Sequence, residues 1–183
     1  HRPNWVMVTA VVLGATGYGG GELLRLLHGH PEVEFIDGWS RTRAGKPLGS
    51  VHPNLRTVIP GEFSAEQDWE AYAECEKLVV FSAMPHGEFA SRLPGLELAW
   101  EQAGILPKLT VIDLSGDFRL RDERAYEEAY HMQHPCPEHL SRWVYGLSEW
   151  NRPQIRKATR IANPGCFATA MALAMAPLIQ LGV

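Results

Sequence analysis

The sequence predicts an α/β fold: a doubly wound, Rossmann-like parallel sheet followed by the start of an α+β catalytic domain. An apolar, β-branched run ends in a glycine-rich loop at residues 14–20, and the loop opens into a leucine-rich helix. Two later apolar runs also end in polar residues. Such runs are typical of strands buried on both faces of a parallel sheet, and ligands bind at the carboxyl ends of these strands.

Composition narrows the class of function. The 183 residues carry a net charge of −4, from 17 basic and 21 acidic residues, and the basic residues form no long run. We therefore expect no nucleic-acid partner and favour small-molecule chemistry. The cysteines, Cys75, Cys136 and Cys166, are widely separated and odd in number. This argues against a disulfide framework and for a reducing compartment, so we expect a cytoplasmic protein.

The first strand is expected over residues 5–13, which are apolar and β-branched. Residues 1–5 lack an initiator methionine, so they are treated as a trimmed start or an expression remnant. Residues 6–13 could also form the apolar core of a signal peptide. A glycine-rich turn follows them in place of a cleavage site, so a strand is favoured.

The glycine loop after this strand predicts a dinucleotide site. Gly14, Gly17 and Gly20 form a G-x-x-G-x-x-G pattern between strand and helix. Glycines allow a tight turn and close backbone approach, and the N-terminus of the helix offers N–H donors to a pyrophosphate. Glycine loops also join many strands to helices without binding anything. The expected cofactor-binding residues of this loop are Gly14, Thr16, Gly17, Tyr18, Gly19 and Gly20.

The end of the second predicted strand, residues 33–39, indicates which dinucleotide is bound. An enzyme that prefers NAD usually has an acidic residue at this position, whereas here the strand runs into Ser40 and Arg41. A hydroxyl with a guanidinium group suits a 2′-phosphate, so we expect NADP(H). The alternative is a solvated loop that happens to contain arginine.

Two further strands, residues 77–83 and 109–114, are each followed by polar residues. At this edge of the sheet we expect Ser82, Pro85, His86 and Ser115 to bind the cofactor. Arg119 is a candidate clamp for a phosphate or carboxylate of the substrate, because its planar fork pairs with such groups bidentately. The alternative for Arg119 is a salt bridge with Asp117 or Asp122.

The connections contain weaker signals. Residues 44–61 are rich in glycine and proline and predict an irregular connection, and residues 143–149 resemble a crossover at a domain edge. Residues 65–76 have helical composition, with Trp69 and Tyr72 on one face and a structural Cys75 at the end. Another helix is expected over residues 96–104, closed by glycine.

Residues 131–139 superficially resemble a metal site, with three histidines and one cysteine. Two prolines stiffen the segment, and no second ligand pair follows at the spacing of a zinc finger. We therefore predict no metal.

Cys166 is the candidate catalytic residue. Pro164 and Gly165 suit positions i+1 and i+2 of a type II turn, in which the glycine has a positive φ. The thiol then lies at a helix N-terminus, where an anion is stabilised, and a thiolate attacks carbonyl carbon. Alternatively, Cys166 is one more small buried residue.

Residues 166–183 contain no charge and reach the minimum length of a membrane span. Pro177 and Gln180 interrupt the segment, which lacks interfacial anchors on its far side. We therefore expect a helix buried in a second domain, and no membrane partner.

Taken together, these motifs resemble the N-acetyl-γ-glutamyl-phosphate reductase family, which reduces an acyl phosphate with NADPH in arginine biosynthesis. The resemblance covers nearly the whole chain and rests on residues 14–23, 40–41, 44–46, 52–53, 85–87, 112–119, 145–147 and 163–169. It implies that Cys166 is the nucleophile, that the glycine loop holds the dinucleotide, and that Ser40 with Arg41 meets the 2′-phosphate. It further implies that Arg119 and Asn163 serve the substrate.

The resemblance also implies an organisation. Residues 1–150 would form the NADP-binding domain, and residues 151–183 would begin a catalytic domain that carries the nucleophile. The family's catalytic histidine lies in that second domain, so none of the eight histidines here is assigned its role. Family members are expected to form homo-oligomers.

Three alternatives stay open at this point. A sister group of the family acts on the aminoadipyl phosphate of lysine biosynthesis. Aspartate-semialdehyde dehydrogenase uses the same chemistry, with a cysteine in a different local motif. An NADP-binding regulatory protein could share the glycine loop and would need no nucleophile.

Overall fold

The computed structural model describes residues 7–65 and 68–182. Six parallel strands form one sheet in the order β2-β1-β3-β4-β6-β5. The strands are β1 (Val8–Leu13), β2 (Val33–Trp39), β3 (Lys77–Ser82), β4 (Leu109–Asp113), β5 (Val144–Tyr145) and β6 (Arg160–Ala162). Because the chain leaves β1 for β2 on one side and returns to β3 on the other, a crevice opens between β1 and β3 at their carboxyl ends. The predicted doubly wound α/β fold is confirmed.

Within residues 7–65 and 68–182, five α-helices accompany these strands. They are α1 (Tyr18–His28), α2 (Glu88–Gln102), α3 (Glu123–Tyr130), α4 (Ser148–Ile155) and α5 (Cys166–Gln180). The structure has two hydrophobic clusters, and alternate residues of β1 enter each: Val11 and Leu13 join one, Ala10 and Val12 the other. Successive strand residues point to opposite faces, so β1 is buried on both sides, as its apolar run predicts.

The helix predicted over residues 65–76 is wrong. Its residues 66 and 67 lie outside the described part of the chain, and of the rest only a single 3-10 turn forms, at Trp69–Tyr72. The predicted neighbours do meet, with ring centroids 5.9 Å apart, because a 3-10 turn has about three residues per turn. The Tyr72 hydroxyl donates to the Asp37 carboxylate on β2, so tertiary contacts shape this segment.

The helix predicted over residues 96–104 begins too late. Helix α2 starts at Glu88 and contains Pro94, which lacks the N–H that would bond to the carbonyl of Ala90. That carbonyl accepts instead from the buried thiol of Cys136, at 3.2 Å. Burial raises the pKa of Cys136 to about 12, so the thiol keeps the proton that it donates. The predicted glycine closure is confirmed, since Gly104 has a φ of +68°.

Two short helices have no counterpart in the sequence-based prediction. Helix α3 begins after Asp122, whose carboxylate accepts the N–H of Ala125 at 2.9 Å. The division predicted at residue 150 falls inside α4, and β6 after it pairs with β4 and β5 in the same sheet. A separate catalytic domain beginning near residue 151 stays a prediction.

Helix α5 differs from the expected buried helix, because none of its residues is buried among the parts of the chain that the structure describes. Phe167 is 84% exposed, and Met171, Ile179 and Leu181 are exposed as well. The described elements therefore leave the apolar surface of α5 uncovered. No helix within the described ranges combines the length and apolarity needed to cross a bilayer.

We expect Cys136→Ala to lower the free energy of unfolding by about 1 to 3 kcal/mol, because it leaves the buried carbonyl of Ala90 without a donor. In a Pro94→Ala background, Cys136→Ala should lower the free energy of unfolding by less, since residue 94 then supplies the missing helical N–H. Urea unfolding of the four proteins of this cycle measures the difference. Equal costs in both backgrounds would show that the thiol does not replace the missing helical bond.

Candidate active site

The carboxyl ends of four neighbouring strands meet at one edge of the sheet. Backbone hydrogen bonds continue past the strand ends, from Ala83 N to Leu13 O, from Leu114 N to Ser82 O and from Asn163 N to Asp113 O, at 2.8 to 2.9 Å. The segments that follow β1, β3, β4 and β6 therefore lie side by side. All the predicted site residues except Ser40 and Arg41, which follow β2, belong to these segments or to the strand ends themselves.

The glycine loop lies where β1 passes into α1. Gly14 has a φ of +73°, and a Cβ there would lie 2.8 Å from the carbonyl oxygen of Ala83. A Cβ at Gly20 would lie 2.6 Å from Cα of Ala15, so both glycines allow close backbone packing. Thr16 is half-buried and Tyr18 fully exposed at the start of α1. The N–H groups of the first helical turn have no intrahelical acceptor and are available to an anion.

His52 contacts the glycine loop from outside the loop. The sequence predicts no role for His52 beyond its place in the resemblance. Its Nε2 lies 2.9 Å from the carbonyl oxygen of Ala15. A Cβ added at Gly21 of α1 would overlap the imidazole ring. Only the histidine-proline pair at residues 52–53 marks this position in the sequence.

The end of β2 carries the residues expected to meet a 2′-phosphate. Ser40 is buried, its N–H donates to the carbonyl of Ser64 at 2.9 Å, and its hydroxyl lies 3.4 Å from that of Thr42. Arg41 is exposed, with its guanidinium carbon 5.7 Å from the centre of the Trp39 ring. Arg41 has no carboxylate partner among residues 7–65 and 68–182, which leaves its fork accessible.

Arg92 is a cation near this position that sequence reasoning missed. Its guanidinium carbon lies 5.1 Å from the centre of the Trp39 ring, the same ring that Arg41 approaches. The Nε of Arg92 lies 3.7 Å from a carboxylate oxygen of Glu88, one helical turn earlier. Fifty residues separate Arg92 from Arg41, so only tertiary structure brings the two together.

Asp117 is the buried centre of the site. Its carboxylate accepts the N–H groups of Gly87 at 2.7 Å and Ala90 at 3.1 Å, at the start of α2. It also lies 2.8 Å from Nδ1 of His86, and the side chain is completely buried. The positive end of the α2 dipole adds to these contacts. From the sequence, Asp117 is expected only as an alternative salt-bridge partner of Arg119, and the structure does not show that pair.

His86 is fixed at both ring nitrogens. Its Nε2 lies 3.0 Å from the Tyr126 hydroxyl, while its Nδ1 faces Asp117. The ring centroid of Tyr130 lies 4.3 Å from that of His86. Both tyrosines come from α3, the helix that the sequence did not predict. His86 therefore lies in the loop where a cofactor residue is expected, with its nitrogens occupied by the protein.

Asp113 and Ser115 form a buried hydrogen-bonded pair at the end of β4, and the Ser115 hydroxyl also accepts the N–H of Asp117 at 3.1 Å. Ser115 donates its N–H and its hydroxyl to the Asp113 carboxylate, at 3.2 and 2.6 Å. Burial raises the pKa of Asp113 to about 6, against the hydrogen bonds from Ser115 that favour the charged form. Ser82 is completely buried and pairs with Asp113 in the sheet register. Ser82 and Ser115 are thus buried at the ends of β3 and β4, and their expected contact with the cofactor stays a prediction.

Arg119 holds the turn that precedes Cys166. Its Nε donates to the carbonyl of Asn163 and its Nη2 to the carbonyl of Leu114, both at 2.8 Å. No salt bridge forms with Asp117, whose carboxylate has the partners given above, or with Asp122, which caps α3. The sequence-based alternative for Arg119 is therefore wrong. Its Nη1 lies toward Gly165.

The predicted type II turn is wrong. Gly165 has a φ of −72° and a ψ of 149°, an extended conformation that any residue adopts, and it is the N-cap of α5. A Cβ there would lie 2.9 Å from Nη1 of Arg119, so a larger residue would have to displace the guanidinium. The prediction that Cys166 begins a helix is confirmed, and Cys166 is exposed.

The histidine-rich segment at residues 131–139 has a structural role. His134 is buried, with its Nε2 2.9 Å from the carbonyl of Asp117 and its Nδ1 accepting the N–H of Cys136. Burial lowers the pKa of His134, which favours the neutral ring. The described residues contain no group of three or more His, Cys, Asp or Glu side chains placed to hold a metal ion.

A family model and curated relatives both place this chain among semialdehyde dehydrogenases and acyl-phosphate reductases in sequence similarity. The family model described as "Semialdehyde dehydrogenase, NAD binding domain" matches residues 9–158. The N-acetyl-gamma-glutamyl-phosphate reductase of Methanopyrus kandleri is 46% identical, over 97% of this chain and 49% of that protein. The LysW-L-2-aminoadipate 6-phosphate reductase of Deinococcus radiodurans is 41% identical, over 95% and 46%. The chain spans about half the length of the curated relatives that it matches.

A solved structure shares the fold. The aspartate semialdehyde dehydrogenase of Candida albicans, crystallised with NADP, aligns over 95% of this chain and 47% of its own. The TM-score is 0.53 and the sequence identity 19%. At that identity the likeness concerns the fold alone.

We expect Asp117→Asn to lower the free energy of unfolding by about 1.5 to 3 kcal/mol, the range for a hydrogen bond to a charged group. The amide has one acceptor oxygen, so at least one of the three donors around Asp117 would face an N–H. Glu88→Gln on the same helix is the matched control, since its pair with Arg92 is partly exposed and long. Urea unfolding followed by tryptophan fluorescence measures both. A loss no larger than that of the control would contradict the central place of Asp117.

Proposed function

This chain belongs to the family of NAD-binding domains of semialdehyde dehydrogenases, and from that premise we propose that it is the NADP(H)-binding part of an acyl-phosphate reductase. The proposed substrate is N-acetyl-γ-glutamyl phosphate, which the enzyme would reduce to the semialdehyde in arginine biosynthesis. One observation carries the proposal. An exposed thiol, that of Cys166, begins a helix at the same sheet edge as the glycine loop.

The proposed chemistry follows from that arrangement. The Cys166 thiolate attacks the acyl carbon, the C–O bond to phosphate breaks, and a thioester remains on the sulfur. A nicotinamide dinucleotide held by the glycine loop would supply the hydride that reduces the thioester carbon, and breaking the C–S bond would release the aldehyde and return the Cys166 thiolate. Asn163 and Arg119 flank the nucleophile. With Nε and Nη2 engaged by carbonyls, Nη1 of Arg119 is the nitrogen proposed to meet the phosphate or carboxylate of the substrate.

For the cofactor we propose NADP(H) rather than NAD(H). Gly14, Thr16, Gly17, Tyr18, Gly19 and Gly20 would cradle the pyrophosphate, and Pro85 with His86 would border the crevice. Ser40 and Arg41 would meet the 2′-phosphate. The absence of an acidic residue directly after β2 and the accessible fork of Arg41 support this choice.

The aminoadipyl phosphate of lysine biosynthesis is the second candidate substrate, favoured by the relative from Deinococcus radiodurans. The two acyl chains differ by one methylene in length. Assays of the longer protein with both acyl phosphates distinguish the candidates. Consistent with biosynthesis of an amino acid, we propose a cytoplasmic enzyme, and, from the family resemblance, a homo-oligomer.

The acid/base group is proposed to lie in the part of the relatives that this chain does not span. His86 and His134 have both ring nitrogens engaged by the protein, so neither is free to exchange a proton with the substrate. General acid/base catalysis typically contributes about 10²- to 10⁴-fold, so this chain alone should bind NADP(H) without appreciable turnover.

Titration of the 183-residue chain tests the cofactor assignment. Arg41→Ala should weaken NADPH binding by about 1.5 to 3 kcal/mol, the range for a hydrogen bond to a charged group, and leave NADH binding nearly unchanged. Arg43→Ala, an exposed arginine two residues on, is the control and should change neither. Equal losses for NADPH and NADH in the Arg41 variant would contradict the assignment.

In the longer protein, Cys166→Ser should abolish acyl-phosphate reduction and leave NADPH affinity nearly intact, because a hydroxyl ionises far less readily than a thiol. Cys75→Ser, which alters a half-buried thiol, is the control and should retain turnover. Iodoacetamide labelling followed by mass spectrometry provides a second measurement. Cys166 should react before buried Cys136, and a serine variant that retains turnover would exclude Cys166 as the nucleophile.

A further inference from the structure

We infer that His52 is a positioning residue of the dinucleotide site, an inference that rests on the proposed function. The ring nitrogen Nε2 of His52 lies 2.9 Å from the carbonyl oxygen of Ala15, in the middle of the glycine loop. A carbonyl oxygen can only accept, so the ring carries a proton on Nε2 and donates it. The hydrogen bond crosses 37 residues of sequence and reaches the loop from outside.

This hydrogen bond sets the orientation of a peptide group in the loop. In a planar trans peptide the C=O of one residue and the N–H of the next point in opposite directions. By holding the Ala15 carbonyl on its own side, His52 directs the Thr16 N–H to the other side. The N–H of Ala15 donates to the carbonyl of Trp39 at 3.3 Å, which fixes the residue at its other end.

The Thr16 N–H has no acceptor among the residues that the structure describes. It immediately precedes the first turn of α1, whose N–H groups are also without intrahelical acceptors. Held in the orientation that His52 imposes, it adds one more donor for a pyrophosphate oxygen. His52 would thus strengthen cofactor binding without touching the cofactor.

Both the side chain and the backbone of His52 are held in place. The ring of His52 lies so close to Gly21 of α1 that any Cβ at position 21 would overlap the ring. Its backbone carbonyl accepts the N–H of Leu55 at 2.9 Å, and Leu55 is buried in the cluster beneath α1. A Cβ at Gly49 would overlap the carbonyl of Leu55, so the backbone around His52 is tightly packed as well. A donor that is already held in position loses little freedom in making its hydrogen bond.

Titrations of the 183-residue chain with NADPH and NADH compare two variants. The amide nitrogen of glutamine extends about as far as Nε2 of histidine, whereas that of asparagine extends only as far as Nδ1. We expect His52→Asn to lower the affinity for both NADPH and NADH roughly tenfold, which is the effect of one lost hydrogen bond at the upper end of its usual range. His52→Gln should bind both nearly as the unaltered chain does, and His28→Asn, at an exposed position on α1, is the control.

The affinities of these variants for NADPH and NADH distinguish a failure of this inference from a failure of the proposed function. Loss of affinity for both cofactors distinguishes His52 from Arg41, whose removal should affect NADPH alone. Unaltered affinity in His52→Asn, or equal losses in the Asn and Gln variants, would overturn the inference. If His52→Asn does not fold, Gly21→Ala replaces it, because its Cβ would displace the ring, and unaltered affinity there would overturn the inference too. An unaltered chain that binds neither dinucleotide would instead refute the proposed function.

Discussion

The buried carboxylate of Asp117 joins the two loops on which the candidate site depends. It lies on the segment after β4 and accepts N–H groups from Gly87 and Ala90 at the start of α2. A charge without partners in this position would cost several kcal/mol, so the three donors and the helix dipole must stay in place once the protein folds. This requirement holds the loop of His86 against the segment that continues to Arg119.

Arg119 holds the segment that precedes Cys166, the proposed nucleophile. Its guanidinium satisfies the carbonyls of Leu114 and Asn163, which would otherwise lack donors at the ends of two strands. Gly165 makes room for the guanidinium, and Cys166 follows as the first residue of α5. Asp117 and Arg119 are two residues apart, so one short segment positions both the proposed cofactor loop and the proposed nucleophile.

Helix α5 contrasts with the rest of the chain. Helices α1 and α2 each bury an apolar face against the sheet, whereas α5 leaves Phe167, Met171 and Ile179 exposed. An apolar face of this extent normally marks an interaction surface. Cys166, the proposed nucleophile, thus lies at a junction between a well-packed sheet edge and a surface that the described elements do not cover.

The sequence by itself determined the features that arise from local chemistry. Apolar runs predict the buried strands, and Gly14 and Gly20 predict the loop because close backbone approach requires glycine. The Pro164-Gly165 pair indicates a helix start at Cys166, although the type of turn predicted there is wrong. The arginine after β2 is likewise visible without any structure. These predictions succeed because each depends on a few neighbouring residues.

Only the tertiary structure decided the features that depend on distant partners. Helix α2 continues through Pro94 because Cys136, far along the chain, supplies a donor to the carbonyl that proline leaves free. Gly165 is extended rather than left-handed, and it lies against the guanidinium of Arg119, which is distant in the sequence. His52 reaches the glycine loop from 37 residues away. Hydrogen bonds and close packing between such distant residues leave no periodic signal in a sequence, because their geometry exists only after the chain has folded.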